Sequence, residues 1–229
     1  MTVKPHWTCI LIDLDGTITD SAPGITSSLA WMFEQLGRPI PTPVELLRYV
    51  GPPLLTSFRD FAGFSPAQSA HALEVYRSHY IVKGLYDSSV YHGIPEVLSA
   101  IGASDIPLSL ATSKPETPAN LILNHFELAR HFDIIAGASD DEVRSTKADV
   151  VAVALERLAA AGADVSNPIM VGDREHDIEG AAAHGIPTIF VEWGYGSVAE
   201  RVGSHSSAKH PGELPGLLLG EVERADLSA

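Results

Sequence analysis

The 229-residue chain has one cysteine, few positive charges and no long apolar run. The single cysteine, Cys9, excludes an intrachain disulfide, and we expect it to be a small buried apolar side chain. Lys and Arg total 15 against 29 Asp and Glu, so the formal net charge is -14. This charge disfavours binding to a nucleic acid polymer or an anionic membrane. The first apolar stretch is short and acidic residues interrupt it, which fits neither a signal peptide nor a membrane span, so we expect a cytoplasmic protein.

The pattern of apolar residues favours an α/β fold. Hydrophobic residues make up 45% of the chain, which is enough to form a full core. Short apolar segments around Ile10, Leu110, Ile134, Met170 and Phe190 are typical of strands buried on both faces, and helical patterns lie between them. This alternation predicts a parallel sheet, in which ligands bind at the carboxyl ends of the strands.

The segment between the first and second predicted strands is unusually long, about 70 residues where a crossover needs far fewer. Residues 23–36 have apolar side chains at helical spacing. The segments Thr42-Pro43-Val44-Glu45 and Ser65-Pro66-Ala67-Gln68 each predict a capping box with proline at the first helical position. The segment is therefore predicted to be a small helical insert.

The insert divides the chain into two predicted domains. Residues 1–19 and 89–229 would form a catalytic core, and residues 20–88 a helical cap, or lid, over the strand tips. The tail after about Ser204 is rich in Ser, Gly and Pro, and we expect it to be loosely held.

The first predicted strand runs into the motif Asp13-Leu14-Asp15-Gly16-Thr17. Because side chains alternate along a strand, the two carboxylates point to the same side, and Gly16 allows the chain to turn. Burying two acids is costly unless a cation or a reaction requires them. The alternative is an ordinary Asp-Gly turn that joins hairpin strands.

Polar residues also follow the second and third predicted strands. Thr112 precedes a probable helix start, where a hydroxyl and free backbone N–H groups bind anions, although it could be an ordinary helix cap. Lys114 is either a second phosphate contact or a solvated charge. Lys147 opens a helix, an unfavourable end for a cation, which suggests that it is directed at the strand tips, where it would hold a carboxylate and a phosphate together. The alternative is a lone surface lysine, the more frequent case in general.

The fourth predicted strand ends at Gly172-Asp173-Arg174-Glu175-His176-Asp177. Asp173 lies at the tip, and Asp177 follows one helical turn later on the same face. Taken alone, Asp173 could also be an ordinary helix cap. Carboxylate oxygens at this spacing suit Mg²⁺. A Zn²⁺ site at His176 is a weaker alternative, because no second His or Cys lies at ligand spacing.

These motifs together resemble the haloacid dehalogenase superfamily of phosphohydrolases, whose four motifs match residues 13–17, Thr112, Lys147 and residues 172–177. The resemblance implies a Rossmann-like parallel sheet core, and the predicted insert resembles the family's alpha-helical cap. Three further segments resemble the phosphoglycolate phosphatase group and its 5′-nucleotidase-like relatives; they are residues 50–54, 111–115 and 193–196.

The resemblance implies the roles of the acidic residues. Asp13 would attack phosphorus to form an aspartyl-phosphate, and Asp15 would protonate the leaving alcohol and then activate water. Mg²⁺ would be held by Asp13, the backbone carbonyl of Asp15 and Asp173, with Asp177 in support.

The resemblance also implies a phosphate cradle made of Thr112, the Ser113 amide and Lys147. Many relatives follow this lysine with Pro-x-Pro, whereas here Ala148-Asp149-Val150 follows, which weakens an assignment to phosphoglycolate. Trp193 and Tyr195 could stack on a nucleotide base or simply pack on the sheet.

The expected activity is Mg²⁺-dependent hydrolysis of a small phosphorylated metabolite, with phosphoglycolate and a nucleoside monophosphate as the candidates. Less favoured alternatives are a sugar-phosphate mutase, a 2-haloacid dehalogenase and a receiver-like module that keeps Asp13 phosphorylated. Candidate substrate contacts are Arg48, Gly51, Lys83 and Lys114. The sequence is compatible with a monomer or a homodimer.

Overall fold

The computed structural model describes residues 7–220. Its strands are β1 (Cys9–Ile12), β2 (Thr19–Asp20), β3 (Ser89–Val90), β4 (Leu108–Pro115), β5 (Ile134–Ala138), β6 (Pro168–Gly172), β7 (Thr188–Val191) and β8 (Ser206–Ala208). Its α-helices are α1 (Ala22–Gln35), α2 (Pro43–Leu47), α3 (Leu54–Ala62), α4 (Pro66–His79), α5 (Ile94–Gly102), α6 (Glu116–His125), α7 (Lys147–Ala160), α8 (Glu175–Ala182) and α9 (Leu214–Leu219).

The larger sheet has six strands in the order β5-β4-β1-β6-β7-β8, and all its neighbouring pairs are parallel. Apolar side chains cover both of its faces. Along β1, Ile10 and Ile12 pack into one hydrophobic cluster, whereas Cys9 and Leu11 pack into a second one with α7 and α8. This arrangement confirms the predicted doubly covered parallel sheet, and it brings the carboxyl ends of the strands to one edge.

The expectation of a loosely held tail is wrong for residues 204–220. Strand β8 pairs with β7 in parallel, and Leu214 and Leu218 of α9 are fully buried. Two leucines four positions apart face the core together, so burial of their side chains outweighs the Ser, Gly and Pro content around them. Residues 221–229 lie outside the described part of the chain.

Helices α1–α4 and a π-helical turn, Tyr80–Gly84, lie between β2 and β3, which form a separate two-stranded antiparallel sheet. Both predicted capping boxes are present, at Thr42 before α2 and at Ser65 before α4. The helices pack around an aromatic group that includes Phe33, Phe58 and Phe64. The insert is therefore helical, and β2 and β3 join it to the rest of the chain side by side.

Candidate active site

The turn after β1 brings two acidic side chains into the interior, with Asp13 4% and Asp15 5% exposed. The Asp13 N–H donates to the Val171 carbonyl at 2.9 Å, which extends the ladder with β6 by one step. Gly16 has φ +85°, a conformation that favours glycine. Because both strands beside β1 are parallel to it, this Asp-Gly turn does not join hairpin strands.

Lys147, the first residue of α7, is 6% exposed and reaches back to the strand tips. Its Nζ lies 2.8 Å from Asp13 Oδ1 and 2.8 Å from Asp177 Oδ1, as ion-pair contacts without aligned hydrogen bonds. The same Nζ donates to the Ala111 carbonyl at 2.9 Å. Burial would lower the pKa of Lys147, but the two carboxylates outweigh it and raise that pKa, so the ammonium stays charged.

Asp13, Asp173 and Asp177 each present a carboxylate oxygen, and these oxygens lie within 4.8 Å of one another. Burial, with repulsion from Asp177 and Asp15, raises the pKa of Asp13 to about 6 against the opposing effect of Lys147. Burial and the same kind of repulsion raise the pKa of Asp173 well above its usual value. A cation among these oxygens would relieve that repulsion.

The donor set fits a hard divalent cation, because such ions take oxygen ligands. Within residues 7–220, the group includes no histidine or cysteine, so the Zn²⁺ alternative at His176 has no further ligand there. The Asp15 carboxylate also lies outside the group. These acidic residues could therefore hold a metal ion.

Asp15 contacts three different parts of the chain, directly or through its lysine partner. Its Oδ1 accepts a hydrogen bond from Ser21 Oγ at 2.6 Å, and its Oδ2 lies 2.8 Å from Lys114 Nζ. The Lys114 ammonium also donates to the Tyr80 hydroxyl, in the insert, at 3.0 Å. Lys114 is 9% exposed, so it is a buried partner of Asp15 and not a solvated charge.

The two predicted phosphate-binding residues of β4 are also buried, Thr112 at 1% and Ser113 at 8% exposed. Thr112 Oγ1 accepts the Lys114 N–H at 3.2 Å. Helix α6 begins only at Glu116, after Pro115 as its N-cap residue, so Thr112 lies within the strand and is not the helix cap.

The Asp173 side chain is closely surrounded by residues whose contacts with it were not predicted from the sequence. A Cβ at Gly16 or at Gly194 would collide with its side chain. The Tyr195 N–H donates to Asp173 Oδ2 at 2.7 Å, and Thr17 Oγ1 donates to Oδ1 at 3.4 Å. These contacts fix the orientation of the carboxylate.

The loop after β7 packs on the first turn of the insert. The Tyr195 hydroxyl accepts the N–H groups of Ser21 and Ala22 at 2.7 and 2.9 Å and donates to Asp20 Oδ1 at 2.8 Å. Trp193 Nε1 donates to the Thr17 carbonyl at 3.1 Å. Both aromatic side chains also pack, partly buried, against the hydrophobic cluster that covers one face of the sheet, in line with the packing alternative.

The candidate substrate contacts in the insert separate into two groups. Gly51 lines a cavity of about 270 Å³ between the insert and the strand tips, as do Asp15, Ser113 and Lys114. Arg48 is exposed, with its guanidinium over the Phe61 ring at 4.2 Å, and Lys83 is exposed on the π-helical turn. The structure therefore puts Arg48 and Lys83 outside this cavity.

Sequence reasoning missed one charged pair that lines the cavity. Arg77 of α4 lies 2.9 Å from Glu142, which belongs to the loop between β5 and α7. The two residues are 65 positions apart, and neither belongs to a motif.

Within residues 7–220, no helix combines the length and the apolar character needed to cross a membrane.

Comparison with known proteins identifies the family. The profile of haloacid dehalogenase-like hydrolases matches residues 10–191. Tyrosine-protein kinase PtkA of Mycobacterium tuberculosis is 42% identical over 187 residues, which are 82% of this chain and 62% of that protein. A 5′-nucleotidase of Pseudomonas aeruginosa is 39% identical over 83% of this chain and 85% of its own. A phosphoglycolate phosphatase of Pseudomonas syringae is 31% identical over 81% of this chain and 70% of its own.

The fold has a solved counterpart. A predicted phosphatase from Clostridium acetobutylicum superposes with a TM-score of 0.88 at 36% identity, over 94% of this chain and 99% of that one. The acidic turn, the buried lysine and the second pair of acids therefore lie on a fold that solved structures share. The chain belongs to the haloacid dehalogenase-like hydrolase family.

Proposed function

We propose that this protein is a Mg²⁺-dependent phosphatase that hydrolyses a small phosphomonoester through a phosphorylated Asp13. The observation that carries the proposal is the Lys147 ammonium, 2.8 Å from both Asp13 and Asp177, beside carboxylates that could hold a metal ion. A carboxylate and a phosphate repel each other, so a reaction between them needs fixed positive charge at this point. The buried lysine meets that need.

The acidic group would hold the metal. Asp13 and Asp173 are the proposed side-chain ligands, with the Asp15 carbonyl as the third ligand from the protein. Asp177 Oδ2 already accepts the Arg174 N–H at 3.0 Å and its Oδ1 contacts Lys147, so we assign Asp177 a supporting role. When bound, Mg²⁺ would neutralise charge on the phosphoryl group.

The reaction would proceed in two displacements. A carboxylate oxygen of Asp13 attacks phosphorus, the ester P–O bond breaks, and Asp15 gives its proton to the leaving oxygen. Asp15 then takes a proton from water while the water oxygen attacks phosphorus. The P–O bond to Asp13 breaks, inorganic phosphate leaves, and both carboxylates return to their starting states.

The remaining polar groups at the strand tips would bind the phosphoryl oxygens. We assign this role to the Thr112 hydroxyl, the Ser113 amide and Lys147. Because phosphoryl transfer depends mainly on positioning and charge neutralisation, these groups suffice without a further nucleophile or base.

We further propose that residues 20–88 form a cap domain that closes over the core made of residues 1–19 and 89–229. The pairing of β2 with β3 puts both connections side by side, which suits a hinge. Lys114 of the core donates to Tyr80 of the cap, so closure would complete the surroundings of Asp15. We also propose that the protein acts on free metabolites in the cytoplasm, as a monomer or a homodimer.

Two features argue against other activities of the same nucleophile. A 2-haloacid dehalogenase needs no second acid, whereas Asp15 is buried and paired here with Lys114 and Ser21. A receiver-like module has no large insert after its first acidic strand. The name of PtkA describes a kinase, but this chain covers only 62% of the length of PtkA, so we do not transfer the kinase activity to it.

Phosphate release from a panel of esters tests the proposal, with Mg²⁺ and with excess chelator. We expect turnover that the chelator abolishes and added Mg²⁺ restores. Transfer of phosphate between hydroxyls of a sugar, without release, would indicate a mutase instead. No turnover of any ester with Mg²⁺ present would refute the proposed function.

A further inference from the structure

The cavity has a polar end and a predominantly apolar wall. At the polar end lie Asp15, Ser113 and Lys114. Aromatic and aliphatic side chains form most of the wall: Ile25, Tyr49, Leu54, Leu73, Tyr76 and Tyr80. The rings of Tyr76 and Tyr80 are stacked, with centroids 5.2 Å apart and an angle of 14° between their planes. A flat apolar group would fit beside such a surface.

Neither cation of the described lining is free to bind a second anion. Lys114 lies 2.8 Å from Asp15, and Arg77 lies 2.9 Å from Glu142. Asp140 adds a third acid to the lining, and its carboxylate accepts the Thr117 hydroxyl at 2.7 Å. With Asp15 protonated for the first displacement, Glu142 and Asp140 balance Lys114 and Arg77, so a leaving group with its own carboxylate would meet no net positive charge.

Glu142 is held in an uncommon conformation. Its φ is +57°, in the left-handed region that non-glycine residues seldom occupy, and its side chain is 4% exposed. The Glu142 N–H donates to the Ser139 carbonyl at 2.8 Å, which stabilises the turn. The loop therefore holds Glu142 in an unfavourable backbone conformation that keeps its carboxylate against Arg77 at the cavity wall. Such backbone conformations are concentrated at functional positions.

We propose that this site takes phosphomonoesters of uncharged, ring-bearing alcohols, and that the Arg77–Glu142 pair makes it reject leaving groups that carry a second negative charge. This inference rests on the proposed function and specifies its substrate class. It disfavours phosphoglycolate, whose leaving group is a carboxylate-bearing alcohol.

The cavity is large enough to hold a leaving group that contains a ring. A cavity of about 150 Å³ lined by apolar side chains accommodates benzene. The cavity here, at about 270 Å³, has room for a ring with its linking carbon and polar substituents. A two-carbon leaving group such as glycolate would leave much of the apolar wall without contacts.

Two matched pairs of esters test the two parts of the proposal separately. The charge rule is the rejection of leaving groups with a second negative charge, and the ring rule is the preference for leaving groups that contain a ring. Benzyl phosphate and 4-carboxybenzyl phosphate differ by a remote carboxylate, and ethyl phosphate and phosphoglycolate differ by an adjacent one. We expect kcat/KM to be higher for the uncharged member of each pair by about tenfold or more, the range for one unfavourable charge contact. We also expect benzyl phosphate to exceed ethyl phosphate.

Substitutions assign the charge rule to its residues. Glu142→Gln should leave the Arg77 guanidinium free for a carboxylate and raise the ratio of 4-carboxybenzyl to benzyl phosphate kcat/KM by about tenfold. Adding Arg77→Met should return that ratio to the wild-type value. Glu156→Gln removes the same charge from an exposed position of α7 and should leave the ratio unchanged.

The ring rule has its own variants. Tyr76→Ala should lower the preference for benzyl over ethyl phosphate, and Tyr76→Phe should retain it, because the ring is kept. Thermal unfolding of each variant checks that the fold survives.

Equal or better use of the carboxylated ester by the wild-type protein would overturn the inference, and so would an unchanged ratio in a folded Glu142→Gln protein. Turnover of esters with the opposite preference leaves the proposed phosphatase function standing. No phosphate release from these four esters, with release from another ester of the panel, would overturn the inference alone, whereas no release from any ester of the panel would refute both.

Discussion

The strand tips and the wall that the insert forms in the adjoining cavity are built from opposite chemistry. At the strand tips, buried charges pair with one another: Lys147 with Asp13 and Asp177, and Lys114 with Asp15. The insert's wall of the cavity carries mainly aromatic and aliphatic side chains. Fixed charges suit the phosphoryl group, which every substrate of the proposed class shares. An apolar wall suits the leaving group, which differs among substrates.

If this division holds, changes at the strand tips should affect all esters alike, whereas changes in the insert's wall should alter the preference among them. The variants below test the strand-tip half of the comparison, and they run from the largest expected effect to the smallest.

Asp13→Asn removes the proposed nucleophile and should lower kcat by more than about 10⁴-fold on every ester, the scale seen when a nucleophile is lost. Phosphate release measured on both benzyl and ethyl phosphate checks this prediction. Asp60→Asn, on an exposed part of α3, is the matched control and should retain activity. Substantial activity in Asp13→Asn would mean that another group attacks phosphorus.

Lys147→Met removes the cation between two buried carboxylates. Breaking such a pair costs about 3–5 kcal/mol of unfolding free energy, since the remaining charges are left uncompensated. Urea unfolding and kcat should both show a large loss, equal for all esters. Lys209→Met, at an exposed position, should change neither. A stable, active Lys147→Met protein would contradict the role given to the ammonium.

Lys114→Met should have a smaller effect, because Ser21 still donates to Asp15 at 2.6 Å. We expect kcat to fall by about tenfold, less than the 10²–10⁴-fold that general acid–base catalysis contributes. The ratio of benzyl to ethyl phosphate should stay constant if Lys114 serves the reaction. A changed ratio with unchanged kcat would assign Lys114 to substrate selection. The strand tips would then contribute to the preference among esters, contrary to the division proposed above.

Tyr195→Phe removes the hydroxyl that joins the loop after β7 to the start of the insert. Two backbone N–H groups lose their acceptor, so we expect about 1–3 kcal/mol of destabilisation. Thermal unfolding measures the loss, with Tyr86→Phe, at an exposed ring, as the control. An unfolding temperature equal to that of the wild type would show that water replaces the hydroxyl without cost.

The residues at the strand tips could be predicted because each follows a local pattern. Asp13, Thr112 and Asp173 end or follow apolar runs, and a lysine at a helix start is unusual enough to attract attention. Parallel strands bring their ends to one edge, so the order of the strands predicted that these residues lie at the same edge of the sheet.

The contacts between the insert and the rest of the chain could not be predicted in the same way. The partners Arg77 and Glu142 are 65 positions apart, and Tyr195 and Ser21 are 174 apart, so no local spacing relates them. Arg48 was a reasonable candidate by charge, but its guanidinium packs on Phe61 outside the cavity. Which helix faces turn toward the core depends on packing between helices, which a single sequence does not specify.

The measurement that tests the central claim most directly is mass spectrometry of the protein, acid-quenched during turnover of benzyl phosphate with Mg²⁺ present. In Asp15→Asn, supplied with 4-nitrophenyl phosphate because its leaving group departs without a proton, loss of the group that activates water should make a phosphorylated protein accumulate, with the phosphate on the peptide that contains Asp13. Removing the metal or adding Asp13→Asn should abolish that species. Turnover without any phosphorylated protein, or with the phosphate on another residue, would contradict the account.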